Sequence, residues 1–171
     1  QYQGKVSKEN VAVTSGCNQA FCASISSFTS ENDEVIIPTP WYFNHHMWLQ
    51  MAGVKSIPLD TDANMNPIIE KAEALITDRT RAIVLVSPNN PSGAIYSNQL
   101  LQKFFDLCKS NQIRLIIDET YKDFHPNASQ PHTLLENNNW DQVLTILYSF
   151  SKTYRMTCLL YTSPSPRDDE L

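Results

Sequence analysis

The chain has 171 residues, of which 42% are hydrophobic and 18% charged, with a formal net charge of −5. That length suits one domain around one sizeable core, and the composition is globular, which excludes intrinsic disorder. A weakly acidic balance without clustered Lys and Arg argues against a nucleic-acid surface, and no apolar run approaches the ~20 residues of a membrane helix.

Strand-like and helix-like segments alternate along the chain. Val11 to Thr14 predicts a short strand, ended by Gly16. Asn18 to Phe28 predicts a helix, with Phe21, Ile25 and Phe28 at helical spacing. Val35-Ile36-Ile37 predicts a second strand, stopped by Pro38 and Pro40. Tyr42 to Ala52 reads as a helix closed by Gly53. Lys55 to Leu59 predicts a third strand, and Pro67 to Leu75 a helix with proline near its first turn.

Ala82 to Val86 is a continuous apolar run of strand length, followed by the breaker cluster Ser87 to Gly93. Ser97 is placed to cap the next helix, whose face is marked by Leu100, Phe104 and Leu107/Cys108. Leu115-Ile116-Ile117 predicts another strand, ending in Asp118. After a polar loop, Val143 to Tyr148 supplies the last. Strands that are apolar without alternation are buried on both faces. The expected fold class is therefore α/β: a doubly wound, mostly parallel sheet with helices on both faces.

Chemistry in such sheets sits beyond the carboxyl ends of the strands. Gly16-Cys17-Asn18, Asn90, Asp118 and Lys152 are all expected on that rim, with Tyr42 following the second strand more loosely. Lys152 stands just past the last strand, flanked by Ser151 and Thr153. Its plain alternative is a surface lysine. On the rim it would be partly desolvated, which favours the uncharged amine of Schiff-base chemistry.

Asp118 reads either as a helix cap or solvated loop carboxylate, or as a buried carboxylate paired with a ring cation. Tyr121 would share its face if a helical turn follows; otherwise it is a packing residue. Ser87 to Gly93 is a turn, or a tightly fixed loop whose Asn amide holds a ligand oxygen. The first amides after Gly16 form either a simple turn or an anion site. Tyr42 is core packing or a ring stacked on a flat ligand. His45 and His46 are adjacent and cannot share a helix face, so metal binding there is not expected. Cys17, Cys22, Cys108 and Cys158 show no CxxC and no zinc spacing; they read as reduced thiols of a cytoplasmic protein.

Three pieces carry a family resemblance: Ser87-Pro-Asn-Asn-Pro-Ser-Gly93, Asp118-Glu-Thr-Tyr121 and Ser149-Phe-Ser-Lys-Thr-Tyr154. In order and spacing they resemble the class I/II aminotransferases, pyridoxal 5′-phosphate enzymes of fold type I, over roughly residues 1 to 157. Pro40 to His45 looks like an aspartate-aminotransferase-like branch. The resemblance implies that Lys152 forms the Schiff base with pyridoxal 5′-phosphate and then moves the α-proton. It implies that Asp118 pairs with the protonated ring nitrogen, that Tyr121 and Asn90 bond the ring's 3-oxygen, and that Tyr42 stacks on the ring. The amides of Gly16, Cys17 and Asn18, with the Ser149 hydroxyl, would hold the phosphate.

The implied activity is transamination between amino acids and 2-oxo acids by a homodimer. A carbon–sulfur lyase, a cyclopropane-forming synthase and the cofactor domain of a transcription regulator are the alternatives. The chain departs from the family after the lysine: where a Gly and a phosphate-gripping Arg are usual, Cys158 and Leu160 stand. From Cys158 to Asp168 the chain reads like a translated sequencing adaptor, so residues 158–171 are expected to be a non-native tail. Gln1 is read as an internal residue, with further sequence expected on both sides, and the piece alone is expected to show little or no turnover.

Overall fold

The computed structural model describes residues 2–4 and 6–156. The expected tail, with Cys158 and Leu160, lies outside them. Five parallel strands form one sheet: β1 (Glu34–Pro38), β2 (Lys55–Leu59), β3 (Thr80–Val86), β4 (Arg114–Asp118) and β5 (Leu144–Leu147), in the order β2-β1-β3-β4-β5. The helices are α1 (Cys17–Phe28), α2 (Phe43–Met51), α3 (Ile69–Leu75), α4 (Asn98–Ser110) and the single turn α5 (Phe150–Thr153).

The two faces of the sheet bury two cores, because successive strand side chains point to opposite sides. Ile36, Ile83, Leu85, Leu115 and Ile117 pack on one side with Leu101, Phe104 and Phe105 of α4. Val35, Ile37, Ala82, Val84 and Ile116 pack on the other with Phe21 and Ile25 of α1 and Leu49 of α2. Each fully buried Leu, Ile or Phe side chain contributes about 1.5–3 kcal/mol. That is why the continuous apolar runs fold as interior strands. The doubly wound α/β sheet is the expected one.

Local signals set the ends of these elements. Ser97 Oγ accepts from the Leu100 amide at 3.1 Å and caps α4, a contact worth about 1 kcal/mol. Among the described residues no helix is long and apolar enough to cross a membrane.

One expected strand is absent. Val11 to Thr14 joins no ladder among the described residues, and Val11 and Val13 are 63% and 86% exposed. A β-branched run alone does not make a strand without a partner to complete its hydrogen bonds. Gly16 therefore follows an unpaired segment, not a strand of the sheet. The order β2-β1-β3 also fixes where a ligand can enter. The chain leaves β1 for one edge and returns on the other side of β1 as β3, so the crevice between the β1 and β3 carboxyl ends is the switch point.

Candidate active site

A cavity of about 430 Å³ opens at the carboxyl end of the sheet. All nine residues singled out in the sequence line it: Gly16, Cys17, Asn18, Tyr42, Asn90, Asp118, Tyr121, Ser149 and Lys152. The order of the sheet explains the convergence. Tyr42 follows β1, Asn90 follows β3, Asp118 ends β4, and Ser149 and Lys152 follow β5. Segments far apart in the chain thus reach one rim.

Asp118 is the buried charge of the site. Its Oδ2 lies 3.2 Å from His45 Nε2, and its Oδ1 accepts from the Thr120 amide at 2.9 Å. Burial alone would push this carboxyl up. The hydrogen bond and charge of His45, with the Thr120 bonds, outweigh burial and hold it below the usual carboxylate range. Asp118 is therefore ionised and aimed at the cavity, as a partner for a ring cation must be.

His45 was not expected here. It is buried, stacked on Phe21 with ring centroids 4.1 Å apart, and meets Tyr42 edge-on at 5.1 Å. The available signal was spacing, not the His-His pair. Tyr42 at the N-cap and His45 and Leu49 within α2 recur at three- and four-residue steps, and the latter two are buried. Thr120 is a second unforeseen member. Its hydroxyl donates to Cys17 Sγ at 3.3 Å, and that sulfur lies 3.7 Å from Asp118 Oδ1. Cys17 thus brings its side chain to the site floor as well as its amide, and burial followed by the Asp118 charge pushes its thiol up to about 12.

Gly16 caps α1 with φ 90° and ψ 167°, a backbone region that is essentially glycine-only. A Cβ there would meet nothing within 4 Å, so conformation, not crowding, requires the glycine. Beyond it the free amides of a 12-residue helix face the cavity, a place for an anion.

In the Ser87 to Gly93 loop the two asparagines divide their work. Asn89 is buried and ties the loop: its Oδ1 accepts from the Ser92 amide and hydroxyl, and its Nδ2 donates to the Tyr96 hydroxyl. Asn90 faces the cavity. Tyr42 is held by Asn44, whose Nδ2 donates to its hydroxyl at 2.8 Å.

No helical turn joins Asp118 to Tyr121, so the condition for a shared helix face is not met. Tyr121 precedes the short 3-10 turn Lys122–Phe124 and reaches the cavity from a loop. Lys152 is exposed, so the expected partial desolvation is not found. The four-residue α5 carries it past the end of β5. Its Nζ lies 6.0 Å from the centroid of the Tyr121 ring. Ser149 is buried and caps α5, its Oγ accepting from the Ser151 amide at 3.1 Å, which leaves the hydroxyl proton for another acceptor.

This set of groups can pair a cation with Asp118, hold an anion at the start of α1 and offer an amine at Lys152.

Comparison with known proteins shows the family of the chain. The family model described as aminotransferase class I and II matches residues 1–159. A probable aspartate aminotransferase of Methanocaldococcus jannaschii is 29% identical over 163 residues, covering 91% of this chain and 40% of that protein. The aromatic aminotransferase ISS1 of Arabidopsis thaliana is 32% identical, over 90% of this chain and 39% of that protein. The solved alanine aminotransferase of Pyrococcus furiosus superposes with a TM-score of 0.79 at 26% identity, covering 89% of this chain and 39% of its own. The chain thus spans about two fifths of the length of the curated relatives it matches.

Proposed function

The chain belongs to the class I and II aminotransferases, and from that premise we propose that the whole protein is a pyridoxal 5′-phosphate-dependent transaminase, passing an amino group between an amino acid and a 2-oxo acid. The observation that carries this reading is the joint placement of Asp118 and Lys152 on one cavity, with the amides of α1 on its wall. The relatives matched bear aminotransferase names, which favours amino-group transfer over lyase or synthase chemistry.

The residues present fit the cofactor. Its ring would lie against Tyr42, with Asp118 paired to the ring nitrogen and Tyr121 and Asn90 toward the 3-oxygen. Its phosphate would meet the amides of Gly16, Cys17 and Asn18 and the Ser149 hydroxyl. The bound cofactor supplies an electron sink for the substrate's α-carbon. The chain's own part is to hold that ring, keep the ring nitrogen protonated through the ionised Asp118, and offer Lys152 Nζ first as the anchoring amine and then as the base that carries a proton.

Residues 1–157 are proposed as part of the cofactor-binding large domain of that enzyme. A homodimer is the proposed assembly. Phe43, Met47 and Met51 are exposed at four-residue steps along α2, an apolar stripe that suits a covered face. A cytoplasmic location is proposed on the free thiols Cys17, Cys22 and Cys108.

The test is a transamination assay on the full-length protein with amino donors and 2-oxo acids, with and without added pyridoxal 5′-phosphate. Cofactor-dependent exchange that Lys152→Ala abolishes is the expected result. Cofactor-dependent elimination without amino transfer, or exchange that survives in Lys152→Ala, would overturn the reading.

A further inference from the structure

A second carboxylate joins the two halves of the site. Asp123 lies in the 3-10 turn Lys122–Phe124, just past Tyr121. Its Oδ2 accepts two hydroxyl bonds from across the fold, from Tyr148 Oη at 2.5 Å and from Thr153 Oγ1 at 2.9 Å. These partners are 25 and 30 residues away in the chain. Tyr148 links β5 to α5, and Thr153 is the immediate neighbour of Lys152. The Tyr148 bond is the main reason the Asp123 carboxyl is held below the usual range. Burial opposes it, while Thr153 and the Lys122 charge add to it.

The helix that presents Lys152 cannot hold itself. It has four residues, and a helix that short pays the cost of nucleation without the gain of propagation. Two side-chain ties fix it: the Ser149 cap at its start and the Thr153–Asp123 bond at its end. We infer that Asp123 is a positioning residue, one that acts through Tyr148 and Thr153 to aim the Lys152-bearing turn at the cavity wall formed by Tyr121. Asp123 itself does not line the cavity, so any effect on Lys152 passes through the turn. This inference rests on the role proposed for Lys152 above.

The experiment measures covalent uptake of pyridoxal 5′-phosphate by the full-length protein, followed by stopped-flow absorbance. In this step the Lys152 nitrogen takes the place of the aldehyde oxygen, which leaves as water. Asp123→Ala and Thr153→Val should each slow uptake on the order of tenfold, because small misplacements of a reacting group are costly. The double variant should be no slower than Asp123→Ala alone, since Asp123→Ala already removes the Thr153 tie. Non-covalent affinity for the cofactor, measured by fluorescence in the Lys152→Ala background, should not change with either substitution. Thr153→Val conserves shape and keeps the test open if Asp123→Ala folds poorly. An unchanged rate in Thr153→Val, additive losses in the double variant, or lost affinity in the Lys152→Ala background would each overturn this inference alone. Undiminished covalent uptake by Lys152→Ala would overturn the functional reading and this inference with it.

Discussion

His45 Nε2 sits 3.2 Å from Asp118 Oδ2 with both side chains buried, and this pair sets the charge of the site. A buried carboxylate needs a partner to stay ionised. His45 supplies one and is itself clamped by Phe21 and Tyr42. His45→Ala should therefore raise the Asp118 pKa and cost about 1–3 kcal/mol of stability at pH 7.

The sign of the pH dependence follows from the direction of the shift. Asp118 is held below its ordinary value, so its contribution is present above the unfolded value, about 3.9. It is lost as pH falls through the folded value. Urea unfolding of both proteins between pH 7 and pH 3 checks this. The native profile should fall toward low pH, and that of His45→Ala should start lower and fall less. Parallel profiles would contradict the pairing.

Gly16 should resist replacement for backbone reasons alone. Its φ of 90° is paired with open space where a Cβ would go. Gly16→Ala should cost on the order of 1–3 kcal/mol if the loop keeps its shape. If the loop relaxes instead, the α1 amides turn away and phosphate binding weakens. Thermal melts with titrations of inorganic phosphate separate these outcomes. A variant unchanged in both would show that the conformation is not needed.

The thiols should differ in reactivity. Burial followed by the Asp118 charge pushes Cys17 up to about 12, and burial pushes Cys108 up as well. At pH 8 a thiol with that value is only about one part in ten thousand thiolate, the reactive form. Cys22 is half-buried, and its upward shift comes from burial with no carboxylate beside it. Iodoacetamide labelling at pH 8, mapped by mass spectrometry, should mark Cys22 well before Cys17 and Cys108. Early labelling of Cys17 would contradict the geometry around it.

Much of this was legible in the chain. Ala82 to Val86 and Leu115 to Ile117 fold as strands because apolar runs of that length have nowhere to go but a two-sided interior. The site was legible for a topological reason: residues after successive parallel strands must meet at one rim, which brought Asn90, Asp118 and Lys152 together. Three things were hidden. Val11 to Thr14 has strand composition, yet pairing is a property of the neighbour and not of the segment. His45 was masked by His46, although its step from Tyr42 pointed inward. Asp123 looks like any loop carboxylate, since its partners Tyr148 and Thr153 are distant in sequence and no local pattern announces them.

The central claim is that Lys152 is the amine that anchors the cofactor. The most direct measurement is to incubate the full-length protein with pyridoxal 5′-phosphate, reduce it with borohydride, digest it and locate the added mass. The account predicts the pyridoxyl group on the peptide containing Lys152, and no stoichiometric label in Lys152→Ala. Stoichiometric label on another lysine with Lys152 unmodified, or equal uptake by Lys152→Ala, would contradict it.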